Sequence, residues 1–127
     1  MGMGIALITP FKKDGSVDFD ALERLVEYQI ENGTDYLVIL GTTAETPTLT
    51  EEEKVEIARV VIAKTNKRLP IVMGIGGNNT RTEVEKIKST DLSQVDAVLS
   101  VVPYYNKPSQ EGIYQHYKAI AQATSTP

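Results

Sequence analysis

The sequence contains no cysteine, no tryptophan and only one histidine, His116. The absence of cysteine excludes disulfide-stabilised miniproteins, zinc modules with cysteine ligands and enzymes with a thiol nucleophile. One histidine is too few for the histidine clusters that bind metal ions in many hydrolases and aldolases. We therefore expect any chemistry to come from hydroxyl groups, carboxylates, lysine, arginine or the backbone, with no metal and no cofactor.

Basic residues and long apolar runs are also scarce. Lysine and arginine number 13 against 17 aspartates and glutamates, and the net charge of -4 offers no basic surface for nucleic acid or an anionic membrane. No apolar run approaches the ~20 residues that a membrane-spanning helix needs, and the first residues do not resemble a signal peptide. We predict a soluble, cytoplasmic protein with no nucleic-acid or membrane partner.

Short apolar runs alternate four times with segments of helical periodicity. The runs cover residues 4–9, 36–41, 70–75 and 96–102 and are apolar throughout, which is typical of parallel strands covered on both faces. The first two helices are predicted over residues 18–32 and 51–65. Because no linker or shift in composition interrupts the 127 residues, we expect one domain without an internal boundary.

Capping residues predict where the helices begin and end. Gly33 provides a stop for the first helix. Thr50 and Thr80 each stand three residues before a glutamate, which is the pattern of a capping box, and Ser109 is suited to cap the fourth helix. The apolar faces that we expect the second and fourth helices to bury comprise Val55, Ala58, Val61, Ile62, Ile113, Tyr117, Ile120 and Ala121.

Two architectures fit this alternation: an open doubly wound sheet of flavodoxin type, and half of a (β/α)₈ barrel, whose usual size is about 250 residues. Length alone favours the open sheet. In both, ligands bind beyond the carboxyl ends of the strands. The segments that follow the runs are rich in hydroxyl and amide groups and lie at residues 9–10, 41–45, 74–79 and 103–108.

Three of these segments have a functional and a structural interpretation. The glycines of residues 74–77 match neither nucleotide-binding motif and indicate a tight turn with a close backbone approach. Thr42 and Thr43 place two amides and two hydroxyls where they can converge on a carboxylate, unless the hydroxyls only bond the local backbone. Tyr104 and Tyr105 suit either a proton relay or an aromatic contact at an interface.

Two further groups are assigned no chemistry. Lys107 lies in a loop bounded by proline, with nothing evident to lower its pKa, and we interpret it as a solvated surface lysine. His116 falls within the fourth predicted helix, and we expect it to be exposed or to have a structural role.

The same segments resemble a known family. Residues 41–45 (Gly-Thr-Thr-Ala-Glu) are similar to the Gly-Thr-Thr-Gly-Glu signature of the pyruvate-dependent class I aldolases that include dihydrodipicolinate synthase and N-acetylneuraminate lyase. Residues 104–117 and 6–11 resemble the dihydrodipicolinate synthase branch in particular. Since the family fold is a (β/α)₈ TIM barrel and the similarity spans the chain, the resemblance implies the first four βα units, a half barrel.

The resemblance implies a lyase that condenses pyruvate with aspartate semialdehyde through a lysine Schiff base in lysine and diaminopimelate biosynthesis. The family's imine lysine lies on strand six and has no position here, so we expect the chain alone to be inactive. Thr42 and Tyr105 favour this branch over the sialic acid lyases, in which the first hydroxyl is typically serine. Another pyruvate-dependent class I aldolase and a noncatalytic half-barrel assembly module stay open as alternatives.

The resemblance also implies roles for individual residues. Thr42 matches a catalytic hydroxyl that links two tyrosines in a proton relay and borders the substrate. Thr43 matches the residue whose amide and hydroxyl bind the pyruvate carboxylate. Tyr105 matches a catalytic tyrosine that crosses a tight dimer interface, with Tyr104 as its interface companion, so a homo-oligomer is expected, a tetramer of tight dimers in the family. Ala44 replaces the signature's glycine and fits only if its φ is negative.

Overall fold

The computed structural model describes residues 2–127. Four β-strands and four α-helices alternate along the chain, as the apolar runs predict. In chain order they are β1 Gly4–Ala6, α1 Phe19–Glu31, β2 Tyr36–Ile39, α2 Glu51–Thr65, β3 Ile71–Gly74, α3 Thr80–Ser89, β4 Ala97–Leu99 and α4 Gln110–Ala121. The strands are shorter than the apolar runs because each run continues into the segment beyond its strand.

The four strands form one parallel sheet in the order β1-β2-β3-β4. A doubly wound sheet reverses its strand order at a switch point, and the described strands contain no such reversal. Since crossover connections are right-handed and every step along this sheet has the same direction, the three helices that connect the strands lie on one face, and α4 packs against α3. The topology is that of half a (β/α)₈ barrel, and the length argument for an open doubly wound sheet is wrong.

The sheet buries only its helix-facing side within the described residues. Leu37 and Ile39 of β2 are almost completely buried, as are Ile71 and Met73 of β3, and they join residues of α1 and α2 in the core. The opposite side, which we call the inner face, borders a wide cleft of about 570 Å³. Its strand residues are Tyr36, Val38, Val72, Ala97 and Leu99.

Most of the predicted caps are confirmed. Thr50 and Glu53 form a complete capping box, in which the Glu53 amide donates to Thr50 Oγ1 at 3.2 Å and the Thr50 amide donates to Glu53 Oε2 at 2.8 Å. The Gly112 amide donates to Ser109 Oγ at 3.1 Å at the start of α4. Gly33 follows α1 with a φ of 81°, a left-handed conformation that glycine adopts without steric cost.

The predicted capping box at Thr80 is wrong. Asn79 caps α3 instead, because its side chain accepts from the Arg81 and Thr82 amides. Thr80 is the first helical residue, and its Oγ1 lies 2.8 Å from Nδ1 of His116, which is only 2% exposed. The structural interpretation of the histidine is therefore confirmed.

The predicted buried faces of α2 and α4 are also partly wrong. Val55 is 70% exposed and Ala121 is exposed, whereas Ile57 and Val60 of α2 are buried. Apolar residues occur on more than one side of α2, so periodicity alone does not identify the side that faces the sheet. None of the helices in residues 2–127 is long and apolar enough to cross a membrane.

Candidate functional site

The parallel sheet brings the segments after its four strands to one edge. Thr9 follows β1, residues 40–45 follow β2, residues 75–79 follow β3 and residues 100–108 follow β4. This is the edge at which the sequence analysis places the site, and it contains both threonines and both tyrosines of the predicted set. Within the described residues, no group of three acidic or histidine side chains is placed to hold a metal ion.

The segment after β2 forms a tight turn that we call the threonine turn, residues 40–45. It begins at Leu40 with a φ of 54°, continues as a 3₁₀ helix and ends at Glu45 with a φ of 55°. Two backbone hydrogen bonds close it, from the Ala44 amide to the Gly41 carbonyl at 3.1 Å and from the Glu45 amide to the Thr42 carbonyl at 3.0 Å.

The amides of Thr42 and Thr43 donate no hydrogen bond within the described part of the chain, and neither do their hydroxyls. Other threonines bond the local backbone instead: Thr46 Oγ1 donates to the Gly41 carbonyl at 2.7 Å, and Thr48 Oγ1 donates to the Glu45 carbonyl at 2.9 Å. Successive unpaired amides of this kind form a concave donor surface for an anion. The arrangement is therefore suited to receive a small carboxylate.

The alanine that departs from the family signature is accommodated without strain. The left-handed conformations of the threonine turn fall on Leu40 and Glu45 and not on Ala44. Ala44 lies in the 3₁₀ helix with its side chain buried, so a methyl group fits there. Ala44 therefore meets the requirement that its φ be negative.

A glycine of β3 supports the threonine turn from the side. A Cβ atom on Gly74 would lie 2.2 Å from the Leu40 carbonyl oxygen and 2.9 Å from the Gly41 amide nitrogen. No side chain fits in this space. The predicted close backbone approach at this glycine is confirmed, and its partner is the first residue of the turn.

The tyrosines lie in the loop after β4. Tyr105 has a φ of 68° and is 93% exposed, and Tyr104 is 52% exposed. The loop is joined to the segment after β3, because Asn78 Nδ2 donates to the Tyr104 carbonyl and Asn106 Nδ2 donates to the Asn78 carbonyl, both at 3.4 Å. Lys107 is exposed in the same loop, as predicted.

The structure thus unites Thr42 and Thr43 in one turn but does not join them to the tyrosines. Tyr105 makes no side-chain hydrogen bond within the described residues and is almost fully exposed. Thr9 was not among the predicted site residues, although its buried hydroxyl donates to the Ala44 carbonyl at 2.8 Å. Its position at a strand end was the available signal, but a contact across 35 residues is not visible in local sequence.

Comparisons with known proteins concern the family and the fold of the chain. A family model described as "Dihydrodipicolinate synthetase family" matches residues 1–127. The 4-hydroxy-tetrahydrodipicolinate synthases of Parabacteroides distasonis and Phocaeicola vulgatus are 68% and 67% identical over 126 residues, which are 99% of this chain and 42% of each relative. The chain therefore spans less than half the length of the curated relatives it matches.

Solved structures show the same partial coverage. The chloride-inhibited dihydrodipicolinate synthase of Acinetobacter baumannii, in a crystal structure with pyruvate, matches with a TM-score of 0.94 at 50% identity, over 99% of this chain and 43% of that chain. The synthase of Methylacidiphilum fumariolicum matches with a TM-score of 0.93 at 47% identity, over 99% of this chain and 42% of that chain. The fold is thus half of a TIM barrel, consisting of its first four βα units.

Proposed function

Because the chain belongs to the dihydrodipicolinate synthetase family, we propose that it forms the pyruvate-binding half of a lyase that condenses pyruvate with aspartate semialdehyde in lysine and diaminopimelate biosynthesis. In this proposal residues 1–127 are the N-terminal half of a single barrel domain in a cytoplasmic homo-oligomer. The relatives of similar sequence carry the synthase name, and the A. baumannii relative is described with pyruvate bound.

The observation that carries the proposal is the unpaired donor set of the threonine turn. The carboxylate of pyruvate would accept hydrogen bonds from the amide and hydroxyl of Thr43, and bonds to a charged acceptor are stronger than bonds between neutral groups. The adjacent hydroxyl of Thr42 would then border the keto acid and carry a proton between tyrosines, one of which is Tyr105 of a second subunit. Tyr104 would pack at that subunit contact.

The proposal assigns binding and proton transfer to this chain and carbon–carbon bond formation to a Schiff base on a lysine outside it. A Schiff base is needed as an electron sink for the pyruvate enamine, and the exposed Lys107 lacks an environment that would activate its amine. The 127 residues alone are therefore expected to bind pyruvate weakly and to catalyse nothing.

The test uses the completed chain, in which residues 1–127 are joined to the part of the P. distasonis synthase that follows its matched segment. We expect it to consume pyruvate and aspartate semialdehyde, and to be trapped covalently by borohydride in the presence of pyruvate. Thr43→Val is expected to raise KM for pyruvate by about 10-fold or more, since it removes a hydrogen bond to a charged group. Thr82→Val is the control, because Thr82 lies on α3 and its hydroxyl makes no hydrogen bond within the described residues.

The other outcomes identify the alternatives. Trapping with pyruvate but turnover only with a sugar aldehyde would indicate another pyruvate-dependent class I aldolase. A folded, oligomeric completed chain that pyruvate and borohydride do not modify would indicate a noncatalytic assembly module.

A further inference from the structure

The hydroxyl of Thr9 is buried but does not reach the open side of the threonine turn. Thr9 is 5% exposed, and its Oγ1 donates to the Ala44 carbonyl at 2.8 Å. The bond joins the segment after β1 to the segment after β2, across 35 residues of sequence. A buried hydroxyl needs a hydrogen-bond partner. The partner of Thr9 belongs to the turn that contains the predicted carboxylate site, so the bond can affect that site.

Two peptide groups connect this hydroxyl to the Thr43 amide. The carbonyl that Thr9 binds belongs to the same peptide group as the Glu45 amide, and that amide donates to the Thr42 carbonyl at 3.0 Å. The Thr42 carbonyl in turn belongs to the peptide group whose N–H is the unpaired Thr43 amide. A trans peptide is planar and its C=O and N–H point in opposite directions, so orienting one end of each group orients the other.

We propose that Thr9 is a positioning residue that orients the Thr43 amide toward the carboxylate of the keto acid. It acts through the 44–45 and 42–43 peptide groups and does not touch the substrate. Hydrogen bonds in series also polarise one another, so the bond from Thr9 strengthens the donor at the far end. The inference rests on the proposed function for the identity of the ligand. The effect of Thr9 on the conformation of the turn is independent of that function.

The test compares Thr9→Val, which keeps the shape and removes the hydroxyl, with Thr9→Ser, which keeps the hydroxyl. Thr34→Val is the matched control, since Thr34 is 4% exposed and its hydroxyl bonds Gln29 Oε1 at 3.0 Å at the opposite edge of the sheet. In the completed chain we expect Thr9→Val to raise KM for pyruvate about tenfold with a smaller change in kcat. Thr9→Ser is expected to restore KM to within about twofold, and Thr34→Val to leave it unchanged.

A second measurement on residues 1–127 needs no substrate. In Thr9→Val, or in Thr9→Ala if the valine variant does not fold, hydrogen exchange of the Glu45 amide is expected to accelerate about tenfold and the Thr43 amide resonance to shift. Thr34→Val should leave both unchanged. Unchanged KM together with unchanged Glu45 exchange would overturn the inference. If the unsubstituted completed chain ignores pyruvate, the proposed function fails, and the exchange measurement still decides the role of Thr9.

Discussion

At the scale of single residues, the threonines around the site divide into two groups by the partners of their hydroxyls. Thr9, Thr46 and Thr48 donate to carbonyls of the threonine turn, whereas the hydroxyls of Thr42 and Thr43 make no hydrogen bond within the described residues. Thr42 and Thr43 were identifiable from sequence because they follow an apolar run. The roles of Thr9, Thr46 and Thr48 were not identifiable, because the φ values of the turn determine which hydroxyl bonds which carbonyl.

The left-handed conformation of Leu40 illustrates the same point. Positive φ is unfavourable for a branched apolar residue and persists only where surrounding contacts impose it. Here the carbonyl of Leu40 lies against Gly74, and Leu40 itself is buried. Leucine in a strand-like run predicts an extended conformation, so sequence alone gave no sign of the bend that starts the turn.

Gly74→Ala is expected to destabilise the chain and to displace the threonine turn. The new Cβ would lie 2.2 Å from the Leu40 carbonyl oxygen, and the backbone must move to relieve the overlap. Such overpacking costs about 1–3 kcal/mol. Urea unfolding of residues 1–127 measures the free energy, and the amide resonances of Thr42 and Thr43 report the displacement.

Gly112→Ala provides a control that is expected to stabilise the chain instead of destabilising it. Gly112 lies within α4, and a Cβ there would meet Pro108 and Ser109 at an ordinary 3.4 Å. Alanine in a helix is favoured over glycine by about 0.5–1 kcal/mol, so this variant should be more stable. Equal stability of the Gly74→Ala variant and the unsubstituted chain would show that the contact with Leu40 does not constrain the turn.

At the scale of elements, short-range rules predicted more than periodicity did. The capping box of α2 and the serine cap of α4 depend on residues three apart, and both are present. The buried face of α2 depends on how the helix lies on the sheet, which is why Val55 was predicted buried and is exposed. Asn79 displaced Thr80 as the cap of α3 because its side chain reaches two amides of the first turn.

The contact between α1 and the segment that follows α2 is expected to weaken in acid. Arg68 donates two hydrogen bonds to the carboxylate of Glu27, and this interaction lowers the pKa of Glu27 from 4.5 to about 2. A depressed pKa stabilises the fold where the carboxylate is ionised in both states, above pH 4.5, and the stabilisation is lost as the pH falls from 4.5 to about 2. Glu27→Gln should therefore lower the melting temperature at pH 7 and make no difference near pH 2.

Thermal unfolding of residues 1–127, followed by circular dichroism across this pH range, checks the expectation. Glu85→Gln is the control, because Glu85 is an exposed glutamate of α3 that forms no salt bridge among the described residues. A difference between the unsubstituted chain and Glu27→Gln that stays constant down to pH 2 would contradict the assignment.

At the scale of the whole molecule, the count of βα units was predictable from sequence, but their arrangement was not. Each unit is defined by an apolar run and a capped helix, which are local features. The choice between an open doubly wound sheet and a half barrel depends on which strands become neighbours, and the parallel ladder shows them in chain order. Only the family resemblance indicated this arrangement in advance, through residues that serve the site rather than the sheet.

The inner face leads to a last prediction, that residues 1–127 self-associate. Leu99 is 49% exposed on this face. The outer edge of β1 has no neighbouring strand within the described residues. The edge of β4 is partly occupied, because the carbonyl of Pro127 accepts a hydrogen bond from the Val98 amide. An exposed apolar surface next to an open strand edge promotes association, and a buried lysine opposes it.

Sedimentation velocity should show association that grows with concentration, and Leu99→Lys should weaken it about tenfold or more. Val55→Lys, at an exposed apolar residue of the helical layer, should not weaken it. A chain that sediments as a monomer at every concentration, or that responds equally to both lysines, would show that the inner face does not drive the contact.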